Sequence, residues 1–203
     1  YTWPDGSVYT TASSEQLWED FAQAEAYKKL YEMKEKAVRE QLRLFEGPGA
    51  CCYYYSGADS ADVYTQLQEL KSQEYALKVQ KEQYEWQKQQ AEAYLKMTGA
   101  KPDKENLRYA LYTGAVSPSG LSGEELYAQR YSAQVQEQQA EWQKKNLEYQ
   151  YQLGQLSDSD FVAQYAAAFQ QKETIKAQRE KLDIEIQMTV GVCGPGMAVP
   201  LLP

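Results

Sequence analysis

Few residues in this sequence could carry out catalysis or hold a metal. The chain of 203 residues has no histidine and three cysteines, of which Cys51 and Cys52 are adjacent and Cys193 is remote. A zinc site needs ligands at characteristic spacings, and no Cys-x-x-Cys pair occurs. No Ser or Cys lies in the glycine-rich turn of a nucleophile elbow, and without histidine its base would have to be Lys, Asp or Glu. We therefore predict that the protein is not an enzyme and binds no cofactor or metal.

The side chains with the clearest spacing are amides. In residues 59–98 an apolar residue recurs every seven positions, and a glutamine follows three positions later. A period of seven lets helices keep one stripe in contact as they supercoil. A buried amide needs partners for its donors and its acceptor, so stacked glutamine layers could pair across helices and fix their register. We predict that this stripe is a seam for helix packing or oligomerisation.

The same pattern recurs in the other long helices when they are aligned on the predicted caps Ser13, Asp59, Ser122 and Ser157. The sequence Glu-Trp-Gln-Lys that begins at Glu85 also reappears in full further along the chain. We interpret this as internal duplication of one helical unit. The predicted seam consists of Val63, Gln66, Leu70, Gln73, Leu77, Gln80, Tyr84, Gln87, Leu126, Gln129, Ala133, Gln136, Gln143, Leu147, Phe161, Gln164, Gln171, Ile175, Gln178 and Leu182.

A simpler alternative places the glutamine column at the edge of the helix contact. The column that follows it would then complete a broader buried face, as is usual in globular bundles. That second column includes Phe21, Leu42, Leu67, Leu95, Tyr165 and Ile186. It is interrupted by the charged residues Glu74, Lys81, Lys88, Lys172 and Arg179. Both arrangements fit the sequence.

Aromatic residues outside the seam predict a second interface, because tyrosine and tryptophan combine a large apolar surface with a polar group. An alternative role is a platform on which bases or sugars stack. The formal net charge of -8 argues against nucleic acid as the main ligand, since phosphate binding needs clustered Lys and Arg. The residues of the predicted second interface are Tyr53, Tyr54, Tyr55, Trp86 and Trp142.

Caps and helix breakers divide the chain into segments. We predict an irregular or hairpin segment over residues 1–12, a long-helix bundle over residues 13–187, and an apolar Gly/Pro-rich tail over residues 188–203. The fold class is all-α: an elongated antiparallel helical bundle or coiled coil with internal helical repeats. The predicted helices span residues 13–46, 59–98, 103–113, 122–153 and 157–187.

These features predict a structural subunit that self-associates into a larger symmetric assembly, as a homo-oligomer together with other proteins. One setting that we consider is a phage virion, as a neck, tail or internal protein. The alternative is a channel-forming or membrane-active ejection protein, with a lumen lined by glutamine and membrane contact through the C-terminal tail. No run of about 18 apolar residues marks a membrane helix. Because the chain begins with Tyr1 instead of Met, we expect it to be a trimmed or partial product.

Overall fold

The computed structural model describes residues 13–46, 60–101, 104–114 and 118–191. These residues form an all-helical bundle and contain no strand, which confirms the predicted all-α class. Residues 1–12, the consecutive tyrosines Tyr53 to Tyr55 and residues 192–203 lie outside the described part. The five helices are α1 (Ser14–Glu46), α2 (Ser60–Met97), α3 (Lys104–Tyr112), α4 (Gly123–Gln152) and α5 (Asp158–Gly191).

Serine caps begin three of the long helices. The hydroxyl of Ser122 accepts a hydrogen bond from the backbone N–H of Glu125, whose carboxylate accepts one from the backbone N–H of Ser122. The hydroxyl of Ser13 accepts from Gln16 at 3.2 Å. The hydroxyl of Ser157 likewise accepts from the third residue of its helix at 3.1 Å. Each cap satisfies a backbone donor that has no partner inside the helix, which fixes where the helix begins.

A glycine turn joins α4 to α5. Gly154 has a φ of 71°, a conformation that glycine adopts without steric cost, and its N–H donates to the carbonyl of Tyr151 at 2.9 Å. The Tyr151 hydroxyl donates to Asp158 Oδ1 at 2.8 Å across the same turn. So short a connection makes α4 and α5 an antiparallel hairpin.

The long helices form two such hairpins. α1 packs along α2, α4 packs along α5, and α1 also packs against α5. Arg39 of α1 pairs with Glu74 of α2 at 2.7 Å, and Arg130 of α4 pairs with Asp183 of α5. The order across the molecule is therefore α2, α1, α5, α4, with α2 and α4 as the outer helices.

The main core lies where all four long helices meet. It combines the first half of α1, the last turns of α2, the first half of α5 and the end of α4. Phe21 and Phe169 have ring centroids 5.3 Å apart, and Tyr151 packs on Phe161 at 5.0 Å. The buried members are Leu17, Phe21, Ala22, Ala26, Leu30, Met33, Ala91, Leu95, Phe161, Val162, Tyr165, Ala166 and Phe169.

Both hairpins continue beyond this core in opposite directions. Lys34 of α1 pairs with Asp158 at the start of α5, so the rest of α1 projects past α5 by about 18 Å at 1.5 Å per residue. The contact between Phe21 and Phe169 places the start of α1 opposite the middle of α5, so α5 projects the other way by roughly 20 Å. The long helices together therefore span roughly 70 Å.

Candidate interaction surface

The apolar column of the predicted seam is covered within the chain. Val63, Leu126, Ala133, Phe161 and Ile175 are buried. The ring of Tyr84 stacks on Tyr27 and Tyr31 of α1 at centroid distances of 4.8 and 5.5 Å, so this column faces the neighbouring helix of its own hairpin. The half-buried members are Leu70, Leu77, Tyr84, Leu147 and Leu182.

The glutamine column lies at the edge of these contacts. Gln87 is half-buried, and the other glutamines are exposed: Gln66, Gln73, Gln80, Gln129, Gln136, Gln143, Gln164, Gln171 and Gln178. Residues of the following column complete the buried face instead: Phe21, Leu42, Leu95, Tyr165 and Ile186 are buried and Leu67 is half-buried. Within one chain, the structure therefore has the second of the two arrangements that fit the sequence, in which the glutamine column lies at the edge of the helix contact. A role for the glutamines between chains stays a prediction.

The charged residues that interrupt the second column form ion pairs across each hairpin. Because they are half-buried and pair with charges on the neighbouring helix, they continue the helix contact. Hydrogen bonding to Lys172 lowers the pKa of the Glu141 carboxyl, and hydrogen bonding to Glu74 raises the pKa of the Arg39 guanidinium. The pairs are Glu74 with Arg39, Lys81 with Glu35, Lys88 with Glu25, Lys172 with Glu141, and Arg179 with Glu137.

Lys144 brings a charge into the packed face of α4. It is 8% exposed, and its Nζ lies 5.2 and 5.4 Å from the ring centroids of Tyr165 and Phe169 and 3.5 Å from Glu141. Burial lowers the pKa of the Lys144 ammonium, and the charge of Glu141 opposes that shift. Burial likewise raises the pKa of the Tyr165 hydroxyl. These groups hold the helices together and do not converge on an open site.

The glutamines of α4 and α5 line one groove along their hairpin. Gln136 and Gln178 lie together in one stretch, and Gln143 and Gln171 lie together in the next. The adjoining stretches share Gln136, Gln171 and Gln178, so the groove is continuous. Its remaining lining is largely small or apolar and includes Ala133, Ala167, Ala168, Leu147, Ile175 and Leu182.

The exposed surface around this groove carries few fully exposed charges, although the ion-paired side chains of Arg130, Glu141 and Lys181 keep 41%, 38% and 38% of their surface exposed. From Tyr127 to Tyr149 of α4 and from Ala163 to Thr189 of α5, the one charged residue in the exposed class is Lys145. Other charged side chains in these stretches are buried or half-buried, several in the ion pairs above. We call this region the charge-poor hairpin surface. Its exposed residues are Tyr127, Ala128, Gln129, Tyr131, Ser132, Gln136, Gln138, Gln139, Trp142, Gln143, Lys145, Tyr149, Ala163, Gln164, Ala167, Gln171, Thr174, Gln178, Gln187 and Thr189.

The α1–α2 hairpin has a different surface. Charged residues are frequent among its exposed positions, as is usual for soluble helices. The two hairpins of the molecule therefore differ in how many exposed charged residues they carry. The exposed charged residues of α1 and α2 are Glu15, Glu19, Lys36, Arg39, Glu40, Arg43, Asp62, Glu69, Lys71, Lys78, Glu82 and Lys96.

The two tryptophans of the predicted second interface are exposed on the outer helices. Trp86 of α2 is 42% exposed and Trp142 of α4 is 68% exposed. Sequence analysis missed that the match around them extends further toward the N-terminus. Tyr75 and Val79 precede Trp86 at the same spacing as Tyr131 and Val135 precede Trp142. Of these four, Tyr75, Val79 and Tyr131 are exposed and Val135 is half-buried.

Among the described residues, no cluster of three or more Asp, Glu or Cys side chains is arranged to hold a metal ion. None of the described helices combines the length and apolar character needed to cross a bilayer. In comparisons with known proteins, no family model, curated protein or solved structure matches the chain.

Proposed function

We propose that this protein is a non-enzymatic structural subunit that self-associates through its α4–α5 hairpin into a larger assembly. The observation that carries the proposal is the charge-poor hairpin surface. Surfaces that stay in water normally carry about a quarter to a third charged residues, which keep proteins soluble. The centres of protein interfaces are depleted of charge and enriched in tyrosine and tryptophan. The exposed tyrosines and Trp142 of α4 match the second pattern.

Small side chains on the same surface support a contact between helices. Ala163, Ala167 and Thr174 are exposed along α5, and Ser132 is exposed on α4. Small residues let another helix approach closely, because the distance between two helix axes depends on the side chains at their contact. The surface therefore offers both the chemistry and the shape for packing against another helical element.

We further infer that the two hairpins are built from matching helices, α1 with α5 and α2 with α4, which follow one another in opposite order along the chain. With α1 and α5 aligned on their caps, Lys28 corresponds to Lys172. With the two Glu-Trp-Gln-Lys sequences superposed, Glu85 corresponds to Glu141. Lys28 pairs with Glu85, and Lys172 pairs with Glu141. The same ion pair thus occurs at the corresponding place in each hairpin, which supports internal repeats with the seven-residue packing of a coiled coil.

Light scattering coupled to size-exclusion chromatography tests the proposed self-association. We expect a mass that is a multiple of the 23.2 kDa chain. Replacing Tyr131 and Trp142 by Glu should lower that mass, because charge would then enter an uncharged contact. The matched control places the same charge at the exposed Gln23 and Gln68 and should leave the mass unchanged. A mass of 23.2 kDa at every concentration, with full helicity, contradicts the proposal.

The glutamine-lined groove also supports a second candidate, a channel-forming protein in which the groove faces a water-filled lumen. Replacing Gln136, Gln143 and Gln171 by Leu distinguishes the two. A contact between chains should become tighter or change register, whereas a lumen should lose liposome leakage with no change in assembly mass. The virion setting and membrane contact through the C-terminal tail rest on sequence alone and stay predictions.

A further inference from the structure

We propose that the groove between α4 and α5 is closed by the same groove of a second copy of the chain. Two hairpins would then form a four-helix bundle with layers of glutamine at its centre. This inference rests on the proposed self-association and names one contact within it, which lies on a different side of α4 from Tyr131 and Trp142.

Glutamine is suited to a contact between identical surfaces. Each side-chain amide has two N–H donors and a carbonyl acceptor, so it can pair with another copy of itself. A two-fold contact places the same patch on both partners and therefore requires a patch that is complementary to itself. A groove lined by Gln136, Gln143, Gln171 and Gln178 meets this requirement, whereas a groove lined by one sign of charge would not.

The spacing of the glutamines lets whole layers meet. On both helices the groove glutamines recur every seven residues, so successive layers are separated by about 10.5 Å along the hairpin. A second hairpin with the same spacing therefore places its amide layers opposite those of the first hairpin, whether the two hairpins run parallel or antiparallel. The groove lining between the layers includes Ala133, Ala167 and Thr174, which leave room for the second pair of helices to approach.

The charge distribution favours a second copy over a charged partner. Two copies of one surface carry the same net charge, so a surface with net charge repels itself in a two-fold contact. The whole chain carries -8, yet its charge-poor hairpin surface has Lys145 as its one fully exposed charge. At one end of the groove, Lys181 lies 3.6 Å from Glu185, so that end carries an opposite-sign pair. Self-contact therefore avoids the repulsion that the rest of this acidic chain would cause.

The area is sufficient for a stable dimer. The groove lining runs from Gln129 to Gln150 on α4 and from Gln164 to Glu185 on α5, so it is roughly 32 Å long, and two adjacent helices are about 20 Å wide. Their common face therefore covers roughly 640 Å² per copy, or about 1,300 Å² for both copies, which lies within the range of standard stable interfaces.

Opposite charges at the centre of the groove provide the test. We would prepare one double variant, Gln171→Lys with Gln178→Lys, and another, Gln171→Glu with Gln178→Glu. Sedimentation velocity should show that each variant alone dimerises at least about tenfold more weakly than the natural chain, because like charges oppose each other. Mixing the two variants should restore dimerisation, because lysines of one copy then face glutamates of the other. Gln, Lys and Glu have similar helix propensities, so circular dichroism should be unchanged.

The control variant carries Gln23→Lys and Gln68→Lys, which add the same charge on α1 and α2, and it should dimerise like the natural chain. Recovery on mixing identifies a second copy as the occupant, since another protein in the groove would be repelled by at least one variant. If the natural chain self-associates but both groove variants associate equally well, this contact is wrong and the proposed function survives. If the natural chain is monomeric at all concentrations, both proposals are wrong.

Discussion

Lys144 shows how one residue can hold a charge inside a helix contact. Its ammonium has little water around it and lies near the rings of Tyr165 and Phe169 and the carboxylate of Glu141. Cation–ring contacts and one carboxylate offset part of the lost hydration, but buried ion pairs often stabilise less than apolar residues of similar volume. The lowered pKa of Lys144 indicates that burial outweighs these contacts.

We predict that Lys144→Met raises the free energy of unfolding by about 1 kcal/mol at pH 7, because methionine has no charge to dehydrate. The pKa of Lys144 is lower in the folded chain than its ordinary value of 10.5. Between those two values the unfolded chain binds more protons, so the natural chain gains stability as pH rises. The advantage of the variant should therefore shrink toward pH 10.5. Urea unfolding from pH 7 upward measures it.

The exposed neighbour Lys145 supplies the control for this measurement. Lys145→Met should leave the stability at pH 7 unchanged, because this side chain is exposed and takes no part in the helix contact. A Lys144→Met variant that is less stable than the natural chain would contradict the prediction. The two rings and Glu141 would then have to stabilise the charge by more than burial costs.

At the scale of the helices, ion pairs distinguish one hairpin from the other. Two pairs of the α1–α2 hairpin, Glu35 with Lys81 and Arg39 with Glu74, have counterparts in the α4–α5 hairpin with the signs reversed. Those counterparts are Arg179 with Glu137 and Asp183 with Arg130. If α1 packed along α4 instead of α2, Glu35 would face Glu137 and Arg39 would face Arg130. Because like charges would then meet, the reversed signs favour the observed pairing over an exchanged one.

We predict that Lys81→Glu lowers the free energy of unfolding by about 1–3 kcal/mol, because it places a second carboxylate beside the buried Glu35. The exchanged pair, Glu35→Lys with Lys81→Glu, should recover part of that loss, because Arg39, which also pairs with Glu35 at 2.6 Å, would then lie beside a lysine. A double-mutant cycle by urea unfolding measures the coupling. Lys78→Glu changes the charge equally at an exposed position of the same helix and should have little effect. A coupling energy near zero in that cycle, which includes Glu35→Lys alone, would show that the two residues are not coupled.

The helices themselves were predictable, because their signals are local. The cap at Ser122 with Glu125 needs three neighbouring residues, and the structure has that capping box. The end of α5 was placed at residue 187 by sequence, but the helix reaches Gly191. Met188 lies against the cluster of Leu107, Leu111 and Ile184, so a contact with α3 supports the added turn.

The sides of the helices were harder to predict than their ends. The seven-residue period locates a glutamine column, but its exposure depends on which neighbouring helix lies beside it and in what register. Lys172 interrupts an apolar column of the sequence. Only the position of Glu141 opposite it explains why a charged residue lies there. Such pairings join residues far apart along the chain, and no single helix period reveals them.

At the scale of the whole molecule, the two hairpins overlap along only part of their length. The core from Phe21 to Phe169 holds them together, and each hairpin then extends alone. α3 covers part of the α4–α5 extension through the contact of Leu107 and Leu111 with Ile184. A long, thin arrangement buries less surface per residue than a globule, so in the proposed assembly the burial between copies would contribute much of the stability.

Small-angle X-ray scattering of an isolated chain tests this overlap. The variant with Gln171→Lys and Gln178→Lys is suited to it, because its charges should keep copies apart. A compact globule of this length would have a radius of gyration of roughly 17 Å. Helices that span roughly 70 Å should instead give about 20 Å or more, with a distance distribution skewed to long vectors. The exposed-charge variant with Gln23→Lys and Gln68→Lys, measured at the same dilution, separates the effect of added charge from that of shape. A radius near 17 Å would mean that the hairpins lie fully side by side, and the offset contact between α1 and α5 would then be wrong.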